Sequence, residues 1–280
     1  MKQITINNKI FTSKAFQKDK YRFSLINKMT KSPTFLCISD EENYLLARGA
    51  VDFPTWIWTK DNLSSSKVKE IETALNLFLT DSITKFTCKE ELYKAFLADN
   101  LPLLNKDDYF EMGTLECHKL KPLKKDVGKV DYPTTSDLDV IATYWYDNSK
   151  EMTTWAKPLT KSEALLEAQK FIQDKNFYVL RNFDHIVSMA SYSVVDDQAK
   201  MTHVYTPPLE RKKGYALEAA VGLINWAFSN ELLEEITASC FITNTNSIKL
   251  LKKLNFKELS RDSTFIHWLL LKETDQNDKQ

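Results

Sequence analysis

The chain predicts an α/β protein, and three observations carry that prediction. Short runs rich in β-branched and aromatic residues, such as Tyr44–Arg48, Thr55–Thr59 and Phe177–Arg181, have the length and composition of strands. They alternate with stretches whose apolar residues recur at helical spacing, among them Val68, Ile71, Leu75 and Phe78. Late in the chain a strand, a proline-stopped turn, a helix and a further strand succeed one another directly, which is the order of a βαβ crossover.

Residues 1–122 read as a mixed α/β domain. Thr34–Ser39, Tyr44–Arg48 and Thr55–Thr59 are its strands, the Val68 stripe its first long helix, and Thr87 with Glu90 the capping pair of another. Lys119–Tyr132, carrying Pro122 and Gly128, is either a linker or an extended crossover. Residues 123–280 form the second domain. Thr134 with Asp137 caps a helix carrying Leu138, Ile141 and Trp145, and Thr160 with Glu163 forms the capping box of a helix carrying Leu165, Ala168 and Ile172. Phe177–Arg181 and Ile186–Val194 are strands, and Asp196-Asp197 turns the chain into Met201–Thr206. Leu217, Val221, Ile224 and Phe228 then mark a helix, succeeded by strand Ile236–Ile242, helix Asn246–Leu254 and strand Thr264–Leu271. Glu273–Gln280 is a polar tail.

Composition narrows the function. A formal net charge of zero favours neither nucleic acid nor a broad anionic surface as partner. No apolar run reaches membrane-spanning length, and Met1–Ile10 lacks the apolar segment of a secretory signal, so a cytoplasmic protein without a membrane partner is expected. Cys37, Cys88, Cys117 and Cys240 show no CxxC spacing and read as reduced thiols; His118, His185, His203 and His267 are scattered, and no metal site is expected.

The most specific stretch runs from Val204 through Tyr205, Thr206, Pro207, Pro208, Leu209, Glu210, Arg211, Lys212, Lys213 and Gly214 to Tyr215 and Ala216. Pro207 and Pro208 lack an N–H, so strand pairing stops there, and Pro207 holds Thr206 extended. The chain has only five glycines against an average usage of about 7%, so Gly214 stands where backbone geometry demands one. A helix opened by such a turn presents unpaired N–H groups and the positive end of its dipole: an anion site framed by three basic residues.

Arg211-x-x-Gly214-x-Ala216 resembles the acyl-CoA pyrophosphate loop of the GNAT superfamily of N-acyltransferases. The Val204–Pro208 lead-in is similar to that of a subgroup that includes glycine N-acyltransferase-like proteins. Asn244-Thr245-Asn246-Ser247 and the subsequent Leu250–Phe256 agree with the family's next helix, although Leu251 stands where many members have a tyrosine that protonates the leaving thiolate. Asn255 replaces the glycine that closes that helix, a mild change because Asn tolerates the left-handed conformation. The resemblance covers roughly residues 123–280. It implies the GNAT fold, a mixed and mostly antiparallel central sheet flanked by helices, with residues 1–122 as a degenerate GNAT-like domain that binds no CoA.

It further implies transfer of an acetyl group from acetyl-CoA to a primary amine of a small molecule or amino acid. The cofactor-binding set is then Val204, Thr206, Arg211, Lys212, Lys213, Gly214, Tyr215, Ala216, Asn244 and Ser247. Backbone amides of the loop hold the diphosphate with Arg211, Lys212 and Lys213 as charge partners, and Asn244 either bonds the pantetheine arm or caps the next helix. The catalytic set is Val204 and Tyr205, one of which supplies the backbone N–H for the oxyanion, and His203 as base, with Tyr205 and Tyr192 as phenolic alternatives. Tyr144, Trp145, Tyr146 and Trp155 either line an acceptor pocket or fill the core. Two competing readings are a protein or peptide acetyltransferase and a CoA-binding pseudoenzyme or interaction module, the latter prompted by Leu251.

Overall fold

The computed structural model describes residues 1–20, 22–50, 54–75, 77–78, 84–98, 104–118, 130–151, 158–174, 176–195, 198–230, 233 and 235–268. Asp196-Asp197, Trp155, most of Lys119–Tyr132 and the polar tail lie outside them. The elements in chain order are β1 (Lys2–Gln3), α1 (Lys14–Lys18), α2 (Ser24–Met29), β2 (Leu36–Ser39), β3 (Tyr44–Arg48), β4 (Thr55–Thr59), α3 (Ser65–Leu75), β5 (Thr84–Lys89), α4 (Glu90–Ala98) and β6 (Leu104–His118). After these come β7 (Val130–Asp131), α5 (Leu138–Glu151), α6 (Lys161–Gln173), β8 (Phe177–Asn182), β9 (His185–Val195), β10 (Gln198–Tyr205), α7 (Tyr215–Asn230), β11 (Glu235–Phe241), α8 (Thr245–Lys253) and β12 (Lys257–Trp268).

The chain divides into two compact units. One comprises Met1–Thr114, Cys240–Asn244 and the chain from Glu258; the other comprises Leu115–Ser239 and Thr245–Lys257. The two halves of the chain repeat one order of elements: strand, two helices, three strands, helix, strand, helix, strand. In the first unit β1 to β4 pair antiparallel in sequence, β4 pairs β5 parallel across α3, and β12 lies antiparallel on β5 with Thr264 opposite Cys88. Its core joins Ile57, Phe86 and Cys88 of the sheet to Ile71 and Leu75 of α3 and Phe96 of α4, all of them fully enclosed. Burial pushes the Cys37 thiol up to about 12 and raises Cys88 further, so both stay protonated and packed.

One expected feature of this unit does not form. Thr87 and Glu90 make no capping box, because Thr87 lies inside β5, opposite Trp56 on one side and Phe265 on the other, and α4 begins only at Glu90. The burial of Phe86 and Cys88 decides for strand there, and the Thr87 hydroxyl is left buried with no hydrogen-bond partner among the described residues.

The second unit has strand order β11-β10-β9-β8-β7. Every pair is antiparallel except β10 with β11, which run parallel across α7, the crossover the sequence predicts. Both capping boxes form: Thr134 with Asp137, and Thr160 with Glu163, whose carboxylate accepts from the Thr160 N–H at 2.7 Å. Ile141 of α5 and Ala168 of α6 pack on Phe177, Val179, Met189 and Tyr205 of the sheet. On α7, Gly222 lets the helix approach β7 closely; a Cβ there would lie 2.7 Å from a methyl of Val130.

Candidate functional site

The site is built on β10 and the turn that leads from it into α7. The ladder between β10 and β11 runs from Ala199↔Ile236 to Met201↔Ala238, while β10 continues to Tyr205 alongside β9. Between Met201 and His203 the register with β9 slips by one residue: Met201 faces Tyr192 and His203 faces Ser191, so Thr202 is the extra residue of a β-bulge. Beyond the bulge Val204 is half-buried, Tyr205 and Thr206 are buried, and the Ser188 hydroxyl, at 2.9 Å from Thr206 Oγ1, also donates to the Tyr205 carbonyl at 3.0 Å.

Pro207 and Pro208 then turn the chain through a 3₁₀ turn (Pro208–Glu210) into the exposed Arg211–Gly214 segment. Lys212 and Gly214 both take positive φ, 65° and 95°, which folds the backbone into a concave turn directly before α7. The carbonyl of Gly214 accepts the N–H groups of Leu217 and Glu218, whereas the N–H groups of Lys212 through Ala216 donate to no acceptor among the described residues. Consecutive main-chain donors at a helix N-terminus, with the positive end of its dipole, are a suitable place for an anion.

The basic side chains of the loop divide their work. Arg211 turns back: its Nε donates to the Thr206 carbonyl at 2.8 Å, an Nη donates to Glu151 at the end of α5 at 2.6 Å, and the guanidinium lies over the Tyr205 ring. Lys213 pairs with Glu210 at 2.9 Å. Lys212 is exposed, and the Tyr215 hydroxyl accepts from Asn182 at 3.2 Å.

His203 and Tyr205 share the face on which α5 packs, His203 exposed and Tyr205 buried. The His203 ring meets Trp145 edge-to-face at 4.6 Å, with Phe171 of α6 at 6.5 Å, and its Nδ1 lies 2.9 Å from Ser191 Oγ. The Tyr205 ring lies 6.0 Å from Tyr144. Burial, then the carboxylates of Glu151 and Asp147, raise the Tyr205 hydroxyl above the ordinary phenol value, so it stays protonated at neutral pH. Tyr192 points elsewhere: it packs with Tyr178 and with Trp226 of α7. Tyr146 packs under the Lys150 ammonium at 3.8 Å. A cavity of about 460 Å³ opens at the start of α5, lined by Asp137, Tyr144, Arg181, Asp184, His185 and Ile186. On its wall Arg181 makes a two-pronged ion pair with Asp137 at 2.7 and 3.0 Å.

Further along, Asn244 directly precedes α8 and is exposed, and Ser247 in its first turn is half-buried. Leu251 is buried, at 3% exposure, in the last turns of α8. That helix closes on Asn255 at φ 62°, with the Phe256 N–H on the Leu251 carbonyl and the Asn255 N–H on the Lys252 carbonyl, the paired bonds of a Schellman end. Among the described residues, no group of three or more His, Cys, Asp or Glu side chains is placed to hold a metal, and no helix is long and apolar enough to cross a membrane.

Sequence reasoning did not find Thr202, Ser191, Ser188 or Glu151. None has a local signature: a bulge depends on the partner strand, and the other three act through contacts distant in sequence.

A mixed, mostly antiparallel sheet with one parallel crossover, a bulge in β10 and a turn that leads directly into α7 defines the α/β architecture of this unit. The sequence profile described as an acetyltransferase (GNAT) domain matches residues 130–257. The uncharacterized N-acetyltransferase YjdG of Bacillus subtilis (strain 168) is 46% identical over 170 residues, which cover 56% of this chain and 98% of that protein. Among solved structures, an acetyltransferase of the GNAT family from Colwellia psychrerythraea matches with a TM-score of 0.60 at 11% identity, over 96% of this chain and 100% of its own. A GCN5-related N-acetyltransferase from Kribbella flavida matches with a TM-score of 0.57 at 11% identity, over 91% of this chain and 96% of its own. At such identities what these structures share with the chain is the fold. The chain belongs to the GNAT superfamily of acetyltransferases.

Proposed function

We propose that the protein transfers an acetyl group from acetyl-CoA to the primary amine of a small molecule or amino acid, and that it falls in the glycine N-acyltransferase-like subgroup with the Val204–Pro208 lead-in. The observation that carries the reading is the run of N–H groups from Lys212 through Ala216 that find no acceptor among the described residues. These donors take the diphosphate of acetyl-CoA, Lys212 adds a mobile charge, and Arg211 acts as the brace that shapes the turn rather than as a direct ligand. Thr206, Lys213, Tyr215, Asn244 and Ser247 complete the assigned cofactor set.

The amine attacks the thioester carbonyl; a C–N bond forms, the amine's proton passes to His203, and the C–S bond breaks to release CoA thiolate. A backbone N–H at Val204 or Tyr205, just past the bulge, is assigned to the oxyanion, a contribution worth about 3 kcal/mol. Leu251 removes the usual thiolate donor. A thiol of pKa about 8.5 leaves without one, at the loss of a contribution typically about 10²–10⁴-fold. The acceptor is assigned to the 460 Å³ cavity, since Tyr144 lines it and packs beside Tyr205, and its volume suits a small molecule. Of the carboxylates on its wall, Asp137 is already taken by Arg181, and Asp184 is the one that suits a cationic amine.

Residues 1–122 are assigned as a degenerate copy of the same fold, supported by the repeated order of elements. Where β10 leads into the amide-lined basic turn, β4 leads into Lys60–Ser64. There the acidic Asp61 accepts from Lys89 at 2.7 Å, and no Arg-x-x-Gly-x-Ala stretch occurs. The buried Leu251 favours one further reading, a CoA-binding pseudoenzyme. Release of free CoA thiol across a panel of amines decides between them: turnover with any amine supports the enzyme, and acetyl-CoA binding without release supports the pseudoenzyme.

A further inference from the structure

Past the bulge, the direction of each main-chain group of β10 follows from its neighbours. Along a strand the N–H and C=O of one residue point to the same edge, and those of the next residue to the opposite edge. The Tyr192 N–H of β9 donates to the carbonyl of Asn176, which directly precedes β8, at 3.1 Å, so Tyr192 turns its main chain toward β8. The β8–β9 register is regular from Ser191 to Ser188, so Ala190 also turns toward β8, whereas Met189 turns toward β10. Met189 lies opposite Tyr205, so both main-chain groups of Tyr205 are directed at β9. Those of Val204 are directed at the other edge, where the ladder with β11 has already ended at Met201↔Ala238.

Side chains hold this arrangement where the ladder stops. Ser188 on β9 is fully enclosed, and its hydroxyl donates to the Tyr205 carbonyl at 3.0 Å. A carbonyl only accepts, so the Ser188 proton is committed to it, and the 2.9 Å contact with Thr206 Oγ1 is a bond that Thr206 donates. The next carbonyl, that of Thr206, is taken by Arg211 Nε at 2.8 Å. Pro207 and Pro208 bring no N–H with which pairing could continue.

We propose that Ser188 is a positioning residue: by holding the Tyr205 carbonyl at the β9 edge, it presents the N–H of Val204, and not that of Tyr205, to the oxyanion. The inference rests on the reading that a β10 N–H serves the thioester carbonyl. When the amine attacks, charge grows on that carbonyl oxygen and its bond from Val204 strengthens. When the C–S bond breaks the charge collapses, and the Val204 N–H keeps its proton throughout.

The test is ¹H–¹⁵N NMR of the whole protein labelled at valine and tyrosine amides, titrated with acetyl-CoA and with CoA, together with steady-state kinetics. In the wild type the Val204 amide proton should move downfield with acetyl-CoA and not with CoA, while that of Tyr205 stays in place. Ser188→Ala should weaken the Val204 response and lower kcat about 2- to 10-fold, the equivalent of one hydrogen bond, with the KM for acetyl-CoA unchanged. A merely structural role for Ser188 would lower stability and leave the Val204 response as it is. A wild-type response at Tyr205 instead of Val204, or a Ser188→Ala variant with the full Val204 response and full kcat, overturns the proposal. Saturation with acetyl-CoA that moves neither amide removes the oxyanion reading itself, and the proposal with it.

Discussion

Arg211 reaches back five residues to donate its Nε to the carbonyl of Thr206 at 2.8 Å, closing the Arg211–Gly214 turn onto the end of the strand that precedes it. The same guanidinium reaches Glu151 on α5 and covers the Tyr205 ring. Lys can supply the charge but not the planar fork. Arg211→Lys is therefore expected to lose nearly as much acetyl-CoA affinity as Arg211→Gln, about 10- to 150-fold, from a hydrogen bond to a charged group worth about 1.5–3 kcal/mol. Calorimetric titration of both variants checks this; near-wild-type affinity for Arg211→Lys would mean that the residue acts only through its charge.

Two glycines test loop geometry against packing. At Gly214 an added Cβ meets nothing closer than a Glu218 oxygen at 4.0 Å, yet φ is 95°. The cost of Gly214→Ala is thus conformational, about 1–2 kcal/mol, with a matching loss of acetyl-CoA affinity as the turn relaxes. Gly222→Ala meets the Val130 methyls and should destabilise by about 1–3 kcal/mol through overpacking of α7 on β7, while the folded fraction keeps its affinity. Urea unfolding and titration of each variant separate the two effects.

The Asp137–Arg181 pair sets a pH limit on the second unit. Burial raises the Asp137 carboxyl, but hydrogen bonds from Arg181 and Thr134 outweigh it and hold it below the ordinary range. A carboxylate depressed on folding stabilises above its unfolded pKa, about 3.9, and that contribution is lost as pH falls through the lower folded value. Asp137→Asn should cost about 2 kcal/mol at pH 7, and the gap from wild type should narrow below about pH 4. Urea midpoints measured from pH 7 down to 3 check it; a constant gap would assign the loss to packing.

The end of α8 offers a stabilising change. Asn255 sits at φ 62°, where glycine is unstrained. Asn255→Gly is expected to be neutral or to stabilise by a few tenths of a kcal/mol, and Asn255→Ala to destabilise by about 1 kcal/mol. Thermal melts of the two variants should therefore move in opposite directions or leave only the alanine shifted.

What was legible in the sequence was what local chemistry dictates. The Thr160–Glu163 box, the proline stop at Pro207 and the left-handed positions at Gly214 and Asn255 arise from residues within one or two turns of each other, and the β10–α7–β11 crossover from the order of three well-marked elements. Thr87 shows the failure of the same logic: Thr-x-x-Glu is a cap only where the preceding residues are free, and paired neighbours on both sides made it strand. The Thr202 bulge and the inward turn of Arg211 were hidden because each is set by a partner remote in sequence, Ser191 on β9 in one case and Glu151 on α5 in the other.

In the proposed mechanism the diphosphate is the handle by which the acetyl donor is held. Calorimetric titration with acetyl-CoA and with S-acetylpantetheine, which carries the same thioester but neither the diphosphate nor the 3′-phosphoadenosine beyond it, measures the grip on that end of the donor. Acetyl-CoA is expected to bind, and the fragment to bind at least about a hundredfold more weakly, a difference of about 3 kcal/mol. Equal affinities for the two would show that the amides of Lys212 through Ala216 do not hold the donor.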